Sequence, residues 1–158
     1  MNAKLLRFGM NLWGPFVGSG IHVTHLSPDY REAKVRLRLG LWNRNSVGVH
    51  FGGSLFAMTD PFFMVMVQHN LGREYRVWDQ AAKIDFIKPG TGKVMAHFTI
   101  HAHELDDIQQ AASNGAKVLR DFTVEVKDEQ GEIVARVCKT LYVRLKNKTR
   151  LTEVERAA

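Results

Sequence analysis

Cysteine is nearly absent: Cys138 is the only one in 158 residues. That excludes an internal disulfide and leaves no cysteine-based zinc pattern. A membrane-length apolar run is also missing, since a span needs roughly 18 or more such residues. The longest candidate is interrupted by Asp60 and Pro61. The N-terminus carries Lys4 and Arg7 but no apolar core followed by a small-residue cleavage site, so no secretory signal is read. Internal repeats and low-complexity segments are absent too. Together these absences point to a cytoplasmic protein.

What is present is an ordinary globular composition. Hydrophobic residues make up 45%, too many for a disordered chain. The length fits one domain with a real core. The expected division is a single domain over 1–146 and a charged tail over 147–158. Net charge is +6, which fits nucleic acid, a membrane surface or an anionic small molecule. The basic residues are scattered through alternating segments, with one mild cluster at Arg144, Lys146, Lys148 and Arg150. A solvated face accounts for them, and neither nucleic acid nor membrane is expected as a partner.

Taken in order, residues 2–13 place Leu5, Leu6, Met10 and Trp13 at helical spacing, and Gly14-Pro15 ends that helix. Ile21 to Leu26 predicts a strand, and Ser27-Pro28-Asp29 a turn. Ala33, Val35, Leu37 and Leu39 then alternate with Lys34, Arg36 and Arg38, the pattern of a strand with one wet face. Trp78 to Lys88 predicts a third strand. The turn Pro89-Gly90-Thr91-Gly92 predicts a hairpin to the strand bearing Val94, Ala96, Phe98, Ile100 and Ala102. Residues 104–115 form a short helix or a loop. Phe122, Val124 and Val126 mark a fifth strand, and Ile133 to Leu145 a long sixth. The expectation is an α+β fold: three hairpins, about six antiparallel strands and one long helix between the second and third strands.

That helix is the centre of the reading. It is expected from Gly52-Gly53 to the stop at Gly72, roughly 19 residues or nearly 30 Å. An alternative boundary makes Asp60 an N-cap and Pro61 the first helical residue. From Leu55 to Val67 the only ionisable residue is Asp60. An all-round apolar helix belongs in a core, and an acid buried there has to be paired or used. The backbone N–H groups of Gly52 and Gly53 lack helical partners and suit a developing oxyanion. Asp60 supplies a base or nucleophile. Asn45, just upstream, is placed to orient water or the carbonyl. Gly52 and Asp60 stand eight residues apart, about 12 Å along a helix, too far for one reacting atom to meet both. Two antiparallel copies bring the glycine of one to the acid of the other, so a symmetric dimer with composite sites is inferred.

The pattern Asn45, Gly48, Phe51-Gly52-Gly53, Leu55-Phe56 and Asp60 resembles that of hot-dog-fold acyl-CoA thioesterases of the phenylacetic-acid-degradation (PaaI) type. WDQAAKIDFIKPGTGKV and VARVCKTLYVRL resemble a subfamily known as DUF4442. The resemblance implies a sheet wrapped round a central helix, a homodimer with a continuous sheet, and often a homotetramer of two dimers. By that likeness Asp60 matches the catalytic acid, Gly52 the N–H that polarises the thioester carbonyl, and Asn45 the positioning residue. One departure stands out. The family often has His-Gly-Gly where this chain has Phe51-Gly52-Gly53, with His50 one place earlier.

Thioester hydrolysis is therefore the expected activity. The substrate is an acyl-CoA or an acyl-carrier thioester, with no metal and no cofactor beyond the substrate's own coenzyme A. Gly53, Phe51, His50 and Phe56 are expected to line the substrate site, and Lys83 and Lys88 to meet the phosphates of CoA. Phe51 in the histidine place motivates the alternative of a non-catalytic acyl-binding protein. A hydratase or dehydratase would need a His–acid pair, for which His50 is the nearby candidate. His97, His101 and His103 share parity but sit beside a turn, where an exposed face explains them better than metal. Cys138 reads as a structural thiol.

Overall fold

The structure, a computed structural model, describes residues 2–146; the expected charged tail lies outside them. The N-terminal segment forms α1 (Ala3–Leu12), with the Asn2 side chain accepting from Lys4 N–H as its cap. Gly14-Pro15 does not return the chain to coil. It opens a second helix, α2 (Gly14–Ser19), with proline in the first turn, where its missing N–H costs nothing. Next come β1 (Ile21–Leu26) and β2 (Glu32–Arg38), paired antiparallel as the alternation predicts.

The central apolar segment is helical where expected but broken in two: α3 (Gly52–Ala57) and α4 (Phe62–Leu71). Residues 58–61 form the break. Pro61 has no N–H to donate, and its ring disfavours helical geometry at the preceding residue. Asp60 is not the side-chain cap of α4, which has none. After α4 follow β3 (Tyr75–Phe86), β4 (Lys93–Thr99), α5 (Ala102–Ala112), β5 (Val118–Asp128) and β6 (Ile133–Leu145). The segment left open between short helix and loop is the helix α5. Glu104 caps it by accepting from the His101 N–H at 2.9 Å.

All six strands join one antiparallel sheet in the order β1-β2-β4-β5-β6-β3. Two of the three expected hairpins are present, β1–β2 and β5–β6. The third is not: β3 and β4 do not pair. Ile87 and Lys88 N–H both donate to Val134 O, which extends β3 along β6. The glycines of the following turn are held elsewhere. Gly90 O accepts from His50 N–H at 2.9 Å and Gly92 O from Leu39 N–H at 2.7 Å. The chain is thereby carried across to β2 rather than folded back.

One face of the sheet packs on α4. Phe62 lies tilted against Phe98 at 4.7 Å between ring centroids, and Phe63 stacks on Phe122 at 4.9 Å. Met66 and Val67 complete that contact and are fully buried. α4 thus buries apolar residues against the inward faces of the sheet, within a core that also takes in α1, α2, β1, β2 and α5. No helix among the described residues is long and apolar enough to cross a membrane.

Candidate active site

Two clusters emerge, and the break between α3 and α4 separates them. The first forms at the start of α3. The loop leading there is folded by its own asparagines. Asn43 is buried and donates to Ser19 O and Arg38 O, each at 2.8 Å, while its Oδ1 accepts from Gly40 N–H. Asn45 Oδ1 accepts from Val47 N–H at 3.0 Å and Val49 N–H at 3.2 Å, an Asx turn that needs the positive φ of +86° at Gly48. Asn45 therefore has its oxygen committed to the loop, and only its amide nitrogen remains to meet a ligand.

His50 follows, 3% exposed. Its Nε2–H donates to Gly92 O at 3.2 Å, which leaves Nδ1 as a buried acceptor without a partner among the described residues. Burial pushes its pKa below the usual 6.5, against a smaller opposing pull from the Gly92 carbonyl. Gly52 and Gly53 occupy the first two positions of α3, where helical geometry provides no acceptor for their N–H groups. Because α3 has only six residues, the N–H groups themselves, rather than a long helix dipole, are what this end offers. Asn45, His50, Gly52, Leu55, Phe86 and Lys88 share an open cleft of about 410 Å³.

Asp60 does not line that cleft. The expectation of an acid enclosed in a core is overturned: its side chain is 56% exposed in the single chain, because within the break Met58 and Thr59 stay fully buried while Asp60 faces outward. The buried charge is a different residue. Lys139 of β6 is 1% exposed, and its ammonium donates to Asp60 Oδ1 at 2.7 Å and pairs with Asp79 Oδ2 at 3.1 Å. The Phe56 ring lies 5.9 Å from the same nitrogen. Asp79 Oδ1 is buried without a partner among the described residues. Burial raises the Asp79 pKa above the usual 3.8, Lys139 works against that, and Asp60 adds to it.

Neither Lys139 nor Asp79 was singled out in the sequence. The signal for Lys139 is its parity: it shares the inward face of β6 with Val137, Leu141 and Val143, all buried. Asp79 falls at the register shift between Asp79 and Ala81, where period-two reading breaks.

The remaining expected residues are scattered. Phe51 is exposed just before α3, and Phe56 is half-buried near Lys139. Lys83 is exposed on β3 and paired with Asp85 at 3.0 Å, away from the cleft. Lys88 lines the cleft, but its ammonium is held by Asp128 at 2.6 Å and by Glu132. His97 pairs with Glu32 at 2.8 Å, while His101 and His103 stack on one another.

A six-stranded antiparallel sheet curved about a central helical segment is the hot-dog fold. Solved structures with the same architecture include PA5026 of Pseudomonas aeruginosa, of unknown function and described as a probable thioesterase. It is 19% identical with a TM-score of 0.82, covering 92% of this chain and 97% of its own. The thioesterase HI1161 of Haemophilus influenzae is 14% identical, with a TM-score of 0.68 and 92% of each chain covered. PaaI of Escherichia coli, from the phenylacetic acid degradation operon, is 17% identical, with a TM-score of 0.60 and coverage of 92% and 94%. Within that fold the chain belongs to the DUF4442 family, a domain of unknown function whose model matches residues 2–143. Comparison with curated proteins finds no match.

Proposed function

We propose that this protein hydrolyses an acyl-CoA or related thioester at a site shared by two subunits. The observation that carries the reading is the separation of the parts. Gly52, with its uncommitted N–H, lies in the cleft with Asn45, whereas Asp60 faces outward beyond it. A second copy supplies what one chain does not. The edge of β3 facing away from β6 pairs with nothing among the described residues, and the strand is 12 residues long. Such an edge invites pairing with another strand; two copies joined there form one continuous sheet and bring their α3–α4 segments together.

In that dimer the thioester carbonyl oxygen accepts from Gly52 N–H. Asp60 of the partner subunit takes a proton from water, which attacks the carbonyl carbon. The tetrahedral intermediate collapses, the C–S bond breaks and the thiolate leaves. The Asn45 amide nitrogen aligns the water. The cleft walls, Leu55, Phe86 and Ile87, suit an apolar acyl group.

Exposed Phe51 favours a second reading, an acyl-binding protein with little turnover. The two are separated by assaying acetyl-, hexanoyl- and palmitoyl-CoA with a thiol reagent, wild type beside Asp60→Ala. Hydrolysis lost on substitution supports the enzyme. No turnover on any thioester, together with a thermal shift by acyl-CoA, establishes the binder instead. Shared sites are tested by mixing inactive Asp60→Ala with inactive Gly52→Pro, since only composite sites recover activity in the mixture.

A further inference from the structure

Lys139 stands on an inward row between Val137 and Leu141, where its buried neighbours along the strand are apolar. A buried cluster of this kind is weak evidence for stability, since replacing all its members by well-packed apolar residues is often neutral or stabilising. Its presence calls for a role in placement. Asp60 needs placing. It lies in the 58–61 break, outside both helices, and it does not cap α4. Its Oδ1 is held by Lys139 at 2.7 Å, while Oδ2 has no hydrogen bond among the described residues. Lys139 is held in turn, by Asp79 Oδ2 at 3.1 Å and by the Phe56 ring. Asp79 is anchored in β3, whose Asp79–Leu141 pairing belongs to the same ladder that carries Lys139.

We infer that Lys139, braced by Asp79, is a positioning residue that pins one oxygen of Asp60 and presents the other to the reacting water. This rests on the thioesterase reading. It assigns Lys139 no contact with substrate: Lys139 acts through Asp60, and Asp79 acts through Lys139. The effect belongs to the chemical step and not to substrate binding, because the acyl cleft is lined by other residues.

The test measures kcat and KM with hexanoyl-CoA for Lys139→Met, Lys139→Arg and Asp79→Asn, alongside circular-dichroism melting. Lys139→Met is expected to lower kcat about 10–100-fold, the scale of losing an outer-shell partner, with KM unchanged. Lys139→Arg, which keeps the cation, is expected to recover most of kcat. A purely packing role predicts a lower melting temperature with wild-type kcat in the folded fraction. Lys139→Met leaves Asp79 buried beside an apolar group, so the double variant Lys139→Met/Asp79→Leu guards against failure to fold. Wild-type kcat in either folded variant overturns the inference alone. A wild type inactive on every thioester tried overturns the thioesterase reading and the inference with it.

Discussion

One buried ammonium between two carboxylates makes a sharp prediction about stability. Lys139 is 1% exposed, Asp79 26% and Asp60 56%. Asp60→Asn removes the more exposed anion and leaves Asp79 at 3.1 Å. The loss is then that of a solvent-screened pair, about 1 kcal/mol or less. Asp79→Asn removes a carboxylate whose ionisation burial already opposes, and it leaves Asp60 at 2.7 Å. Its cost is also about 1 kcal/mol, within the range of an ordinary hydrogen-bond change. The double variant strands a buried cation with no anion, which costs about 3–5 kcal/mol. The two substitutions are therefore non-additive, with a coupling energy of about 1–3 kcal/mol. Urea unfolding of the four proteins measures it, provided the m-values agree. Additive single costs, or Asp60→Asn alone costing more than about 3 kcal/mol, would refute the shared-cation account. Asp60→Asn should also abolish hydrolysis while keeping the fold, which separates the reacting acid from a structural counter-ion.

Gly52→Pro deletes one N–H at the first position of α3, where proline is accepted and the preceding Phe51 is already extended. The added ring meets Phe86, whose exposed side chain can swing aside. The variant should fold, with kcat lower by about 10²–10³; unchanged kcat removes Gly52 as the oxyanion donor. His50 has a pKa lowered by burial, so its contribution to stability is complete above 6.5 and is lost as pH falls through the depressed folded value. Stability measured by urea unfolding should therefore fall as pH drops from 6.5 to that depressed value, and His50→Gln should flatten that part of the slope. Phe63 stacks with Phe122 and meets Phe98 edge-on. Phe63→Ala should cost about 3–5 kcal/mol in the same unfolding assay; a cost under about 1 kcal/mol removes Phe63 from the core account.

Much of the scaffold was readable in advance because it rests on local pattern. The alternation in β6 gave Ile133 to Leu145 with both ends right, and Gly52 and Gly72 bracket the central helical segment. What stayed hidden depends on partners distant in the chain. The choice of β6 over β4 as the neighbour of β3 is made partly by Val134 O, and nothing in the turn Pro89–Gly92 reveals it. The exposure of Asp60 follows from a break that apolar spacing does not record. Asn45 and Gly52 line one cleft, as their closeness in sequence allows, since the loop that holds Asn45 runs straight into α3. Lys139 and Asp79 come from strands 60 residues apart and meet only through the β3–β6 ladder.

The staple between His50, Gly90 and Gly92 bears on how the cleft treats its occupants. A methyl group at Gly90 would sit 2.9 Å from Val134 and 3.1 Å from His50, so backbone and ring already touch there. The flank formed by His50 and Gly90 is cast against the start of the last strand and holds its outline. Phe86, whose ring lies over Gly52 and is 57% exposed, is free to swing. Guests should thus be sorted by girth on the unyielding flank and tolerated in length or bulk on the other.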